Sequence, residues 1–309
     1  MRVTQSMLSN NMLRNLSSSY NKMGKLQEQI TTGKKVNRPS DDPVVVMKGM
    51  GYRMQVDKIG QYQRNLGEVN NYLDSSDDAF DTVGSALKRA SELANKGATG
   101  SLTDEDREKI TSELKQIQEQ IKDMANTKVG DKYIFSGTKT STPLYDKATG
   151  KYPEVDANGN SIIPGFTSDI NIEVFDGITL KVNTNPLELF QGIDDLFQGL
   201  VDGTPNPDPT LPNIPATQEN FNKAMTEIDK KFGEVLTMRA DIGARQNRSE
   251  MMGNRLGVQE GAAKKQMSEN EDVEYEKAIT DMITEEAVHR AALSVGARII
   301  QPSLVDFLR

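Results

Sequence analysis

Residues 52–94 read YRMQVDKIGQYQRNLGEVNNYLDSSDDAFDTVGSALKRASELA. Steps of three and four alternate without a slip through Tyr52, Gln55, Ile59, Tyr62, Leu66, Val69, Leu73, Ser76, Phe80, Val83, Leu87, Ala90 and Ala94. Residues three and four apart share one face of an α-helix, so this spacing is a coiled-coil seam. Only Gln55 and Ser76 are polar within it. At the helical rise the stretch makes a rod about 65 Å long. Gly97 and Gly100 close it, and Asp42-Pro43 opens it. Aspartate suits the N-cap, and proline suits the first helical position because its missing N–H is not needed there.

The pattern recurs on either side. Leu13, Leu16, Tyr20, Met23, Gln27 and Ile30 form an upstream seam that stops at Thr31-Thr32-Gly33. Thr103 with Asp106 resembles a capping box, followed by Ile110, Leu114, Ile117, Ile121 and Met124. Thr217 opens a third rod through Phe221, Met225, Ile228, Phe232, Val235, Met238 and Ile242. That seam weakens near Arg245, recovers at Met252 and Leu256, and runs on through Ile279 and Ile283. The middle differs. Tyr133-Ile134-Phe135 reads as a short strand, and Ile170 to Val182 alternates with period two about Asp176-Gly177, which predicts a hairpin. Asn185-Pro186 opens a short amphipathic helix with Phe190, Ile193, Phe197 and Leu200. Five prolines between Thr204 and Pro215 mark an extended loop.

The fold expected is mainly α, an elongated helical bundle or coiled coil with discontinuous nested domains and a small β-rich insertion. Residues 1–42 with 267–309 form a terminal tip for assembly. Residues 43–135 with 185–266 form the rod bundle, and 136–184 the β-hairpin insertion. Composition agrees, with 36% hydrophobic residues, 6% aromatic, no Trp and a mean hydropathy of −0.59. Thin bundles need less apolar content than one thick globule.

Several function classes fall away. No apolar run approaches the roughly 18 residues of a membrane span, and no cleaved leader is expected. The absence of cysteine excludes disulfides, thiolate metal sites and thiol nucleophiles, and it suits either a low-cysteine chain or one exported unfolded. The lone histidine, His289, has no neighbour to make a ligand pair and reads as structural. Asp41-Asp42, Asp77-Asp78, Asp194-Asp195 and Glu285-Glu286 are adjacent pairs, whereas hydrolytic carboxylates must face each other across a cleft. No phosphate loop, nucleophile elbow or zincin motif occurs, and Gly49-x-Gly51 lacks the strand and third glycine of a dinucleotide site. Neither enzyme chemistry, nor a cofactor, nor a metal is expected.

The ends carry the main clue. Met1 to Arg38 and Ala216 to Gln301 hold no proline, and the tails are oppositely charged. Residues 1–42 have seven basic and three acidic residues; residues 267–309 have four basic and nine acidic. The basic end lacks the dense cluster and interleaved aromatics of a nucleic-acid site, so the tails are expected to pair with each other. Antiparallel pairing sets Lys34, Lys35 and Arg38 opposite the acidic run containing Glu271, Asp272 and Glu274. Pro39, Ser40, Asp41, Asp42 and Pro43 form the joint. Along the tip, Leu13, Leu16, Tyr20, Met23 and Ile30 are seam positions, while Leu8, Met12, Leu26, Leu304, Phe307 and Leu308 have no evident intramolecular cover. Apolar surface at the end of a rod marks an association site, and a head-to-side contact builds rings or helical layers.

Met1-Arg2-Val3-Thr4, the segment Thr32-Gly33-Lys34-Lys35 leading to Pro39-Ser40-Asp41-Asp42-Pro43, and the ending Gln301-Pro302-Ser303-Leu304-Val305-Asp306-Phe307-Leu308 resemble the flagellin superfamily. Within it they are most similar to the hook–filament junction family, as is Tyr133-Ile134-Phe135-Ser136-Gly137. The Pro-Ser-Asp-Asp-Pro joint and the terminal Ser-Leu-x-x-Phe-Leu depart from the usual flagellin pattern. The resemblance covers residues 1–137 and 217–309. It implies a structural flagellar subunit, exported unfolded by the type III pathway with an uncleaved N-terminal signal and assembled outside the cell. The implied partners are copies of itself in a ring or helical layer, the first hook-associated protein, flagellin and an export chaperone, with no nucleic acid and no membrane. A flagellin filament subunit and a cytoplasmic coiled-coil adaptor stand as alternatives.

Overall fold

The computed structural model describes residues 5–99, 103–154, 161–201 and 217–300. In chain order the elements are α1 (Gln5–Thr32), α2 (Pro43–Gly97), α3 (Asp104–Ala125), β1 (Lys128–Val129), β2 (Lys132–Tyr133), β3 (Asn171–Phe175), β4 (Ile178–Lys181), α4 (Leu187–Val201), α5 (Gln218–Glu271) and α6 (Tyr275–Ile300). The chain is mainly helical. It divides into two compact units, residues 1–59 with 258–309 and residues 60–257. Helices α2 and α5 contribute residues to both.

The helix starts follow from local chemistry. Asp42 Oδ1 accepts from the N–H groups of Val44 (3.0 Å) and Val45 (3.1 Å), which satisfies two of α2's free donors. Thr103 does the same for α3, accepting from Asp106 N at 3.3 Å.

In the unit of residues 60–257, the α2 seam is the core. Every seam position from Tyr62 to Ala94 is buried, including the polar Ser76 at 2% exposure. Ser76 is tolerated because its hydroxyl donates back to Tyr72 O at 2.7 Å. Helix α5 lies antiparallel to α2: Ser249 Oγ meets Asn70 Oδ1 at 2.6 Å, and the Arg239 guanidinium grips Asp77 (2.8 and 3.1 Å) and Asp81 (2.5 Å). Gly97 is open because the Phe221 ring lies 2.8 Å from where a Cβ would sit. Helix α4 buries Leu187, Leu189, Phe190, Ile193, Phe197 and Leu200, and is tied to α3 through Asp194, which meets Gln118 Nε2 at 2.6 Å and Lys122 Nζ at 3.2 Å.

The β hairpin forms where the alternation placed it, with β3 and β4 antiparallel about Asp176-Gly177. Only Gly177 takes a positive φ, +69°, so the turn is not the mirror-image type in which both central residues do. The hairpin docks on α2 through Asn65 Nδ2 to Glu173 O (2.6 Å) and the stacked rings of Tyr62 and Phe175. One expectation changes. The strand ends at Tyr133, and Ile134 and Phe135 leave it to enter the core. Phe135 sits 5.2 Å from Phe80 and 5.7 Å from Phe190 between ring centroids. An apolar triplet does not distinguish a strand from a buried turn; these aromatic contacts decide it.

In the unit of residues 1–59 with 258–309, α1 and α6 run antiparallel. The seam likewise shortens here: Ile59 is buried, Tyr52 half-buried and Gln55 exposed.

Candidate assembly site

Helix α1 ends because Gly33 adopts φ +71°, a left-handed conformation open to glycine, while its N–H still reaches Gln29 O at 2.9 Å. The chain that follows pairs with the break between α5 and α6. Lys35 N donates to Glu271 O at 2.6 Å, Val273 N donates to Gly33 O at 3.0 Å, and Lys34 and Asp272 form an antiparallel bridge. Side chains reinforce the backbone. Lys34 Nζ is 2.7 Å from Asp272 Oδ1 and 3.4 Å from Glu271 Oε2. The hydrogen bond from Lys34 holds the Asp272 carboxyl below its ordinary range, helped by Ser268, and the same bond raises the Lys34 ammonium.

The other charges divide. Arg38 lies 3.6 Å from Glu28, not beside the acidic run. Lys35 contributes its backbone, with its C=O accepting from Gln29 Nε2 at 2.6 Å. Glu274 is exposed, and its C=O accepts the Ala278 N–H that starts α6. In the joint, Pro39 and Ser40 form an exposed turn, Asp41 N reaches Arg38 O at 2.9 Å, and Pro43 begins α2. Lys25, 3.1 Å from Asp41, donates the hydrogen bond that holds the Asp41 carboxyl low.

Three participants, Arg53, Gly49 and Asn270, carried no charge-pattern signal. Glu271 is 7% exposed, and Arg53 Nη2 meets its Oε2 at 2.6 Å. Gly49 makes room for it: a Cβ there would lie 2.2 Å from Glu271 Oε1. Asn270 Nδ2 donates to Val45 O at 2.9 Å. A glycine inside a helix costs stability and asks for a packing reason, the one hint the sequence held.

Along the tip, the half-buried side of α1 runs through Met12, Leu16, Met23, Leu26 and Ile30, with Ser19 buried among them. Ser19 Oγ donates to Glu285 Oε2 at 3.1 Å, and Lys22 lies 3.4 Å from Glu285 Oε1. Met12 fills the space a side chain at Gly296 would need. Leu8, Leu13 and Tyr20 are 47, 54 and 63% exposed. The Tyr20 ring is 6.2 Å from that of His289, whose Nδ1 has no hydrogen-bond partner among the described residues. Leu304, Phe307 and Leu308 lie outside the described residues. The site therefore offers a charge-pinned antiparallel helix pair with an outward apolar side. Among the described residues no helix is long and apolar enough to cross a membrane.

Residues 3–140 match the family described as the bacterial flagellin N-terminal helical region, and residues 225–308 match the bacterial flagellin C-terminal helical region. The flagellar hook-associated protein 3 of Escherichia coli is 27% identical over 305 residues, 94% of this chain and 93% of that protein. Its namesake in Salmonella typhimurium is 26% identical over 94% of this chain and 95% of its own length. A solved structure of a putative flagellar hook-associated protein from Vibrio parahaemolyticus superposes with a TM-score of 0.61 at 26% identity, covering 75% of this chain and all of that one.

Proposed function

We propose that this chain, which belongs to the flagellin superfamily, is a structural subunit of the bacterial flagellum that joins hook to filament through its paired terminal helices. The carrying observation is the likeness to hook-associated protein 3, which runs through both tails and the region between them over 94% of the chain. The role is mechanical, not enzymatic. Most of an amphipathic helix's stability in a protein comes from packing rather than propensity, so partners on both sides of α1 supply its stability. Helix α6 covers one side, and copies of the same chain, the first hook-associated protein below and flagellin above, cover the other. Export proceeds unfolded through the flagellar type III pathway, with a chaperone holding the C-terminal region until assembly.

Deleting Leu304–Arg309 tests the reading. The purified protein should keep its helicity and melting temperature, while cells shed their filaments and flagellin accumulates in the medium. Normal motility with attached filaments would overturn it. A filament subunit would instead leave bare hooks, with only the truncated chain itself accumulating in the medium. A cytoplasmic adaptor would stay with the cell fraction when cells and medium are separated.

A further inference from the structure

We infer that the exposed apolar stripe at the start of α2 seats helix α6 of a second copy of this chain. The inference rests on the junction reading, in which copies pack side by side. Val44, Met47, Met50 and Met54 are 55, 70, 59 and 68% exposed, and their spacing sets them on one side of α2. Methionine is flexible and polarisable, so a methionine-rich stripe moulds itself to a partner. An apolar stripe of this kind at the water surface marks an association site. From Val44 to Met54 it runs about 15 Å.

Helix α6 carries the counterpart. Tyr275, Ile279 and Ile283 are 50, 42 and 59% exposed at four-residue spacing, about 12 Å in all. Both stripes belong to the unit of residues 1–59 with 258–309, and both are exposed within one subunit, so neither covers the other there. Charge selects the occupant. The α2 segment 43–59 holds Lys48, Arg53 and Lys58 against Asp57, whereas the α6 segment 275–287 holds Glu276, Asp281, Glu285 and Glu286 against Lys277, and the signs stay opposite with Arg53 bound to Glu271, Glu285 to Lys22 and Glu286 to Arg290. An α2 stripe thus attracts an α6 stripe, and each repels its own twin. Such a contact joins two different surfaces and repeats from copy to copy instead of closing as a dimer.

The chain has no cysteine, so Met54→Cys and Ile283→Cys each introduce a sole thiol at an exposed position. Flagella from cells producing both single variants are oxidised and their hook–filament complexes run on a non-reducing gel. A reducible dimer that requires both variants is expected, and Met50→Cys should repeat it one turn away with Ile279→Cys where the two helices run parallel and with Ala287→Cys where they run antiparallel. A dimer from the Met54→Cys variant alone would mean that like stripes meet, and would overturn the inference. No pair cross-linking, with the protein present in the complexes, would overturn it and leave the junction reading standing. Complexes lacking the protein would overturn both.

Discussion

Gly49 and Gly24 are both glycines inside long helices, and the same substitution should move them in opposite directions. Replacing glycine by alanine in a helix interior ordinarily gains about 1 kcal/mol. Gly24 has nothing within 4 Å of a built Cβ, so Gly24→Ala should stabilise the tail pair by about 0.5–1 kcal/mol. At Gly49 the new methyl would lie 2.2 Å from Glu271 Oε1 and 3.0 Å from its Cδ. Glu271 is buried and held by Arg53 and Lys34, so moving it breaks both ion pairs. Arg53 and Lys34 keep 59% and 37% of their side-chain surface in water, and that screening keeps the loss below the cost of splitting a fully buried pair. Gly49→Ala should therefore destabilise by about 1–2 kcal/mol despite the helix preference. Hydrogen exchange of the α1 and α6 amides reads both changes. Protection rising in Gly49→Ala would show that the pocket is slack.

At the scale of elements, the decisive contact between α1 and α6 is a size match. Met12 occupies the position of a side chain at Gly296, with its Cε 1.8 Å from the built Cβ. Gly296→Val should push the helices apart and cost about 1–3 kcal/mol. Shortening the partner in Met12→Ala should return much of that loss in the double variant, as judged by the helical signal on heating. No recovery would mean that the cost comes from elsewhere on α6. This pairing was only half legible in the sequence. The α2 seam could be read because its spacing is local and unbroken, and it is buried from Ile59 onward. In α1 the three-four seam pointed inward through Leu13 and Tyr20, yet both are exposed and Met12 and Ser19 stand in their place. The expected and observed seams share Leu16, Met23 and Ile30 and differ by one residue at the positions between, and only the partner helix chooses between them. Leu144, Tyr145, Tyr152 and Phe166 were illegible for another reason. They are core residues of irregular chain, where no period exists to read.

At the scale of the whole molecule, opposite tail charges indicated pairing, but the ion pairs between the tails are few, gathered at the joint and at Glu285. The bonds between 33–35 and 271–273 are backbone bonds, which no charge count anticipates. The ion pairs around them make the joint sensitive to pH. Asp272 is held below the ordinary carboxylate value of 3.8, so its contribution is complete above that value and disappears as the pH falls through its lowered folded value. Lys34 is raised above 10.5, so its contribution is complete below that value and disappears as the pH rises through its raised folded value. Between these limits the pair contributes a constant amount, within about 1 kcal/mol because both groups are partly exposed. The core of residues 60–257 rests on the apolar α2 seam and the Phe80, Phe135 and Phe190 cluster, with the Arg239 pairs to Asp77 and Asp81 only at its partly exposed edge, so acid should loosen the tails before that core. Hydrogen exchange at stepwise lower pH should show α1 and α6 losing protection below about pH 4, ahead of the α2 segment 69–94. Lys34→Met should remove part of the acid step and lower tail protection at neutral pH, because Asp272 and Glu271 then lose their shared cation. An acid step of unchanged size in Lys34→Met would assign it to carboxylates other than Asp272.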